Sequence, residues 1–193
     1  MHGQLALETL IKNFSFKTVL DVGAGSGVAG KNFMNHGHEV TSSDIGNFGA
    51  PNLVLGDFLE ADLGTYDLVW ASHVLEHQLD VHKFLKKCHS HMHEDSLLCV
   101  TVPPLKHEIV GGHVSLWNAG LLAYNLILAG FDCRGSAIKT YGYNISIICR
   151  KHPDPVPKLV YDYGDIQTLA DRFPIGFNFH GFNGQIAEYN WPQ

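Results

Sequence analysis

Nowhere in the 193 residues does an apolar run approach the ~18 needed to cross a bilayer, so no membrane span is expected. Basic residues are also scarce. Lys and Arg number 13 against 19 Asp and Glu, a formal net charge of −6. That argues against a broad nucleic-acid surface, which needs a basic stripe, although a local groove is compatible with any net charge. The four cysteines, Cys88, Cys99, Cys133 and Cys149, form no CxxC pair, and buried reduced thiols are expected. The opening stretch MHGQLALETLIKNF lacks a basic n-region and a small-residue cleavage site, so a cytoplasmic protein is expected.

What is present is an ordinary soluble balance, 45% hydrophobic and 17% charged, enough for one domain and an appendage. Residues 4–14 carry apolar positions at helical spacing. Strands are predicted at 17–22, 38–44, 52–55, 66–72 and 96–102. Helices are predicted at 26–36, at 81–91 capped by Asp80, and from a Ser115 cap to Gly130. YDLVWAS, 66–72, is a continuous apolar run of the kind a parallel sheet buries on both faces. FDCRGSAIKT and YNISIICR flank a turn and read as a hairpin. Strands alternating with helices imply an α/β fold with a mostly parallel sheet, and a terminal hairpin adds an antiparallel strand.

The densest signal is TVLDVGAGSGVAG, 18–30, an apolar strand running into glycines and then a helix. Two registers fit. Gly25 to Gly30 match the GxGxxG pattern of dinucleotide binding, with Asp44 19 residues beyond Gly25 as a ribose acid. The other register begins two residues before the glycines, at Asp21. There an acid stands just before a bare backbone that can pass close beneath a ligand.

The second register resembles the first motif of class I S-adenosylmethionine-dependent methyltransferases. Further features favour it: Asp44 at the end of the second strand, Gly56-Asp57-Phe58 after the third, and YDLVWASHVLEH, 66–77, which is similar to the fourth-strand motif of small-molecule members with a "vLEH" signature. No YxxxK pair supports a nicotinamide enzyme. The resemblance covers about residues 15–150. It implies a doubly wound, seven-stranded sheet of order 3-2-1-4-5-7-6 with strand 7 antiparallel and helices on both faces. It also implies S-adenosylmethionine as cofactor, contacted by Asp21, Gly23, Ala24, Gly25, Gly27, Asp44, Ile45, Asp57, Phe58, Ser72 and His73. In that reading Asp44 takes the ribose hydroxyls and Asp57 the adenine amine.

Thirteen histidines are more than usual. His73, His77, His107 and His113 fall on loops that the fold aims at an acceptor. His113, in a "gHv" element, is the first candidate for base or acceptor contact, and His77 the second. Metal is a rival use for these side chains. His73 and His77 are four apart, but HVLEH is not HExxH and no third ligand has a recognisable spacing, so no metal is expected. His89, His91 and His93 are placed at the carboxyl end of a helix, where partly protonated rings are favourable. TVPPL, 101–105, differs in flanks and position from the proline pair of DNA and RNA amino-methyltransferases, so a nucleic-acid substrate is not expected.

Residues 1–150 are expected to form the methyltransferase domain and 151–193 an appendage packed on it. The appendage holds eight of the 21 aromatics: Tyr161, Tyr163, Phe173, Phe177, Phe179, Phe182, Tyr189 and Trp191. Its sharper use is as a lid or stacking surface. The function expected is methylation of a small polar acceptor, such as a sugar or other metabolite, on oxygen or nitrogen. The rival from another class is a cofactor-binding partner subunit without turnover.

Overall fold

The computed structural model describes residues 1–174, 176 and 181–193. Phe177 and Phe179 of the aromatic tail lie outside the described residues. The chain forms α1 (Gln4–Asn13), β1 (Thr18–Val22), α2 (Val28–Asn35), β2 (Glu39–Asp44), β3 (Leu53–Leu55) and β4 (Tyr66–Ser72). A 3-10 turn (Leu75–His77) leads to α3 (Val81–Ser90), β5 (Met92–Val102), α4 (Ala119–Leu128) and the hairpin β6 (Phe131–Tyr141) and β7 (Asn144–Lys151). The tail holds α5 (Gly164–Thr168) and β8 (Glu188–Tyr189).

Among the described residues the sheet has eight strands, in the order β3-β2-β1-β4-β5-β7-β6-β8. β1 to β5 pair in parallel, and β7 runs antiparallel to both β5 and β6. The period of two along each strand sorts side chains into two cores. Leu20, Val22, Val69, Ala71, Leu98 and Val100 face α3 and α4, where Phe84, Leu85, Leu122 and Leu126 close the layer. Val19, Leu68, Trp70, Leu97 and Cys99 face the opposite way, against Leu7 and Leu10 of α1 and Phe33 of α2. Both faces being covered, β4 has no polar residue in its middle. All four cysteines are buried free thiols, and burial raises the Cys88 and Cys99 thiols. No helix among the described residues is long and apolar enough to cross a membrane.

Four local expectations are corrected. The last helix starts at Ala119, with Asn118 as its cap accepting from the Leu121 amide at 2.7 Å, and Ser115 does not serve. Residues 115–118 are held extended because the Leu105 amide donates to Trp117 O at 2.7 Å and Trp117 bridges to Pro104. β5 begins at Met92 and not at 96, since the Tyr66 amide bonds His91 O and Tyr66 pairs with Met92. Its polar start, His93 to Asp95, hides the strand from any apolar periodicity. His93 therefore belongs to β5, and burial, with Lys151 and Lys86 nearby, pushes His89 down to about 4, so that ring is neutral at pH 7. Finally the tail contributes the eighth strand: Ile138 pairs with Tyr189 and Lys139 with Glu188, the latter also joined through Nζ and Oε2 at 2.6 Å. Leu169 and Phe173 are buried in the first core and Trp191 in the second.

Candidate active site

Strand order reverses beside β1, with β2 on one side and β4 on the other. In an open parallel sheet that reversal leaves a crevice at the carboxyl ends of the strands. A crevice of about 440 Å³ lies there, lined by Gly23, Asp44, Ile45, Asp57, Phe58, His73 and His77 among the residues predicted from the sequence.

Gly23 brings the glycine loop to its lining. Gly23 has φ +68°, and a Cβ there would meet Val74 Cγ2 at 2.1 Å. Gly27 has φ +73° at the start of α2, and a Cβ would lie 2.6 Å from Ala50 Cα. Both positions require glycine for backbone and for space. The Gly23 and Ala24 amides donate to Ser43 O, at 2.8 and 3.2 Å, tying the loop across the end of β2. The Gly25 amide donates to Asp44 Oδ2 at 2.8 Å and the Gly46 amide to Asp44 Oδ1 at 3.0 Å. Each carboxylate oxygen keeps a lone-pair site, so Asp44 is oriented at the crevice edge and still able to accept from two hydroxyls.

Asp21 does not line the crevice. It is 2% exposed, and its Oδ2 accepts from the Gly30 amide at 3.1 Å, in the first turn of α2. Burial pushes its carboxyl up to about 7, against the lowering effect of the Gly30 amide. The amino pole of α2 is thus met by an internal acid, an arrangement poorly suited to a pyrophosphate there. Ala24, Gly25 and Gly27 build the loop without lining the crevice, and Ser72 Oγ donates to His2 O at 3.4 Å. On the far wall Asp57 Oδ1 accepts from the Leu59 amide at 2.9 Å, fixing its carboxylate. Phe58 is nearly buried against Phe84, with ring centroids 5.3 Å apart, while Ile45 is 81% exposed and offers an apolar rim.

The other wall is histidine-rich. His73 leaves β4 with φ +57°, a left-handed backbone that costs a non-glycine residue ~1–2 kcal/mol. Its amide donates to Thr101 O at 2.8 Å, and its ring lies over His2, with centroids 4.2 Å apart. His73 Nε2 lies 3.0 Å from Asn144 Oδ1, an oxygen that also accepts from the Gly3 amide, so Nε2 carries a hydrogen. His77 Nδ1 lies 2.8 Å from Gly112 O; a carbonyl only accepts, so Nδ1 carries the hydrogen and Nε2 keeps its lone pair. His113 lines a second hollow, of about 220 Å³, with Pro103, Pro104, Ile109 and Tyr143. Its ring stands edge-on to His77 with centroids 5.0 Å apart, so the crevice and the second hollow adjoin at this pair. His107 lines neither.

One residue was not singled out from the sequence. Glu76 is fully buried, 3.2 Å from His73 Nδ1 and 3.9 Å from His77 Nε2 through Oε1. Its signal was an acid in an otherwise apolar turn, VLEH, between two histidines.

A family model described as "Methyltransferase domain" matches residues 4–131. The sheet order, the antiparallel β7 and the glycine loop over an acid at the end of β2 agree with that class. The chain belongs to this family, the class I S-adenosylmethionine-dependent methyltransferases. Solved structures are similar in fold. One is the 1,6-didemethyltoxoflavin-N1-methyltransferase of Burkholderia thailandensis, with 1,6-didemethyltoxoflavin and S-adenosylhomocysteine bound. It is 20% identical, with 77% of each chain covered and a TM-score of 0.67. A SAM-dependent methyltransferase from Archaeoglobus fulgidus is 21% identical over 77% of this chain and 94% of that one, at a TM-score of 0.63. Human N-acetylserotonin methyltransferase in complex with SAM is 19% identical over 78% of this chain and 52% of that one, at a TM-score of 0.63. At these identities the likeness is one of fold. No curated protein matches the chain.

Proposed function

We propose that the protein methylates a small polar acceptor, at oxygen or nitrogen, that reaches the cofactor crevice from the side of the His77–His113 pair. The carrying observation is that these two rings stand where the crevice and the second hollow adjoin. When bound, S-adenosylmethionine supplies a methyl carbon made electrophilic by its sulfonium. The residues at the crevice fit it: a bare loop at Gly23, an oriented acceptor at Asp44, an oriented carboxylate at Asp57 and an apolar rim at Ile45.

The chain's own task is chiefly placement. Holding the acceptor in line and dry supplies much of the barrier reduction in such a displacement. His77 offers the Nε2 lone pair to the acceptor's proton, because Gly112 O keeps the hydrogen on Nδ1. His113 contacts the acceptor or shares that proton. The backbone supports both rings: the Val114 amide donates to Glu76 O at 2.8 Å and the His113 amide to Val110 O at 3.1 Å. In the balanced step the acceptor's lone pair forms the new bond to carbon, the carbon–sulfur pair returns to sulfur, and the acceptor's proton passes to imidazole. The likeness in fold to a methyltransferase crystallised with 1,6-didemethyltoxoflavin agrees with a small-molecule substrate.

His113→Ala tests the reading. Turnover on an acceptor found by screening metabolite fractions with labelled cofactor should fall ~100-fold or more, as loss of a group that positions the acceptor or shares its proton does. Cofactor affinity by calorimetry should stay within about twofold. Equal losses in both would make His113 a structural residue. Cofactor binding with no labelled product from any fraction would favour a partner subunit without turnover.

A further inference from the structure

We infer that Glu76, His77 and His113 form a binding site for one divalent first-row transition-metal ion on the acceptor side of the crevice. Their ligand atoms all lie within 4.8 Å of one another, and no other group of three histidine, cysteine or acidic side chains among the described residues is so gathered. The independent observation is Glu76. Its side chain is fully buried, and among the described residues neither carboxylate oxygen has a donor in hydrogen-bond geometry. A buried carboxylate so placed is costly unless a cation meets it. The ring nitrogens at 3.2 Å (His73 Nδ1) and 3.9 Å (His77 Nε2) approach Oε1 without completing such a bond.

The tautomer of His77 suits a ligand. Nδ1–H donates to Gly112 O, which leaves Nε2 for the ion, the outer-shell arrangement that orients metal-bound imidazole. Gly112 has φ +83°, and a Cβ there would lie 3.1 Å from His77 Nδ1, so the loop that carries His113 is shaped around His77. Donors at ~2.0–2.2 Å from an ion stand ~3–3.5 Å apart, so atoms at the 4.8 Å limit close by up to ~1.3–1.8 Å on binding. Two imidazoles and one carboxylate favour zinc, iron, manganese or cobalt over magnesium or calcium, which prefer all-oxygen sites.

Three protein donors leave positions open for an acceptor oxygen, a role that rests on the transferase reading above. There the acceptor O–H gives its proton to water, the oxygen pair forms the bond to the methyl carbon, and the carbon–sulfur pair returns to sulfur. Ligated nitrogens have no free lone pair, so His77 and His113 then act through the ion and not as bases.

The test is titration of Co²⁺ into chelator-stripped full-length protein, read by visible absorption. One equivalent is expected to bind, and Zn²⁺ to displace it. Glu76→Gln and His113→Ala should each weaken binding at least tenfold; His113→Gln replaces the latter if circular dichroism shows misfolding. The exposed His36→Ala should bind like the parent. Failure of the parent to bind one equivalent, or parent-like binding by both site variants, overturns the site. Calorimetry with S-adenosylmethionine on the same samples keeps the two readings apart: cobalt bound without cofactor binding supports the site and removes the transferase. Undiminished turnover by stripped protein overturns the ion's role with the acceptor and returns His77 to the part of base.

Discussion

The two walls of the crevice are made of different material. On the side of β1 and β2 every donor is a backbone amide: Gly23 and Ala24 amides on Ser43 O, and Gly25 and Gly46 amides on the Asp44 carboxylate. On the side of β4 and β5 they are side chains: His73 and His77 line the crevice, buried Glu76 lies against both rings, and His113 stands in the adjoining hollow. A backbone wall suits a ligand that never changes. A side-chain wall can be altered one residue at a time while the first stays intact. In the proposed function the fold thereby separates what holds the cofactor from what selects and activates the acceptor. It also separates their failures: damage to the first wall should strike affinity and stability together, damage to the second mainly turnover.

The hardest blow to the backbone wall is Gly23→Ala. The left-handed backbone costs ~1–2 kcal/mol in alanine, and overpacking against Val74 adds ~1–3 kcal/mol. Chemical denaturation should show a loss of that size, and calorimetry a matching fall in cofactor affinity. Adding Val74→Ala removes the methyl groups that the new Cβ would meet and should recover the packing part alone. Full recovery would mean that the backbone there is not strained, and the contrast between the walls would weaken.

Asp44→Ala comes next. It removes a charged acceptor and leaves the Gly25 and Gly46 amides without their partner. Cofactor affinity should fall ~10- to 150-fold, the ~1.5–3 kcal/mol of a hydrogen bond to a charged group. Asp44→Asn keeps one carbonyl oxygen and should fall between. Unchanged affinity by calorimetry in the alanine variant would remove Asp44 from the cofactor wall.

The same contrast explains what was legible in the sequence. The loop from Asp21 to Gly30 and the acid at 44 stand at short, fixed spacings, because a strand, a tight turn and a helix leave few alternatives. The parallel core strands announce themselves as apolar runs, as in YDLVWAS. The second wall has no such grammar. His113 meets Glu76 and His77 only because the Val114 amide bonds Glu76 O and His77 bonds Gly112 O, across more than 30 residues of chain. Ser115 looks like a cap, yet Asn118 takes that part because the Trp117 bridge holds the intervening residues extended. The eighth strand, only Glu188–Tyr189, depends on an edge of β6 that local sequence does not reveal.

The effect that depends on pH concerns Asp21, the ionisable group beneath the backbone wall. Burial pushes it up to about 7, from an ordinary 3.8. The folded state therefore favours the protonated form. The stability this group lends is fully present below pH 4 and is lost as pH rises through 7. Asp21→Asn keeps a carbonyl oxygen for the Gly30 amide and carries no charge at any pH. The melting temperature of the variant relative to the parent should therefore climb between pH 4 and pH 8, and stay level below pH 4. A difference independent of pH would mean that the folded Asp21 titrates as the unfolded one does and is ionised near neutral pH. A second charge, besides that of Asp44, would then lie at the cofactor wall.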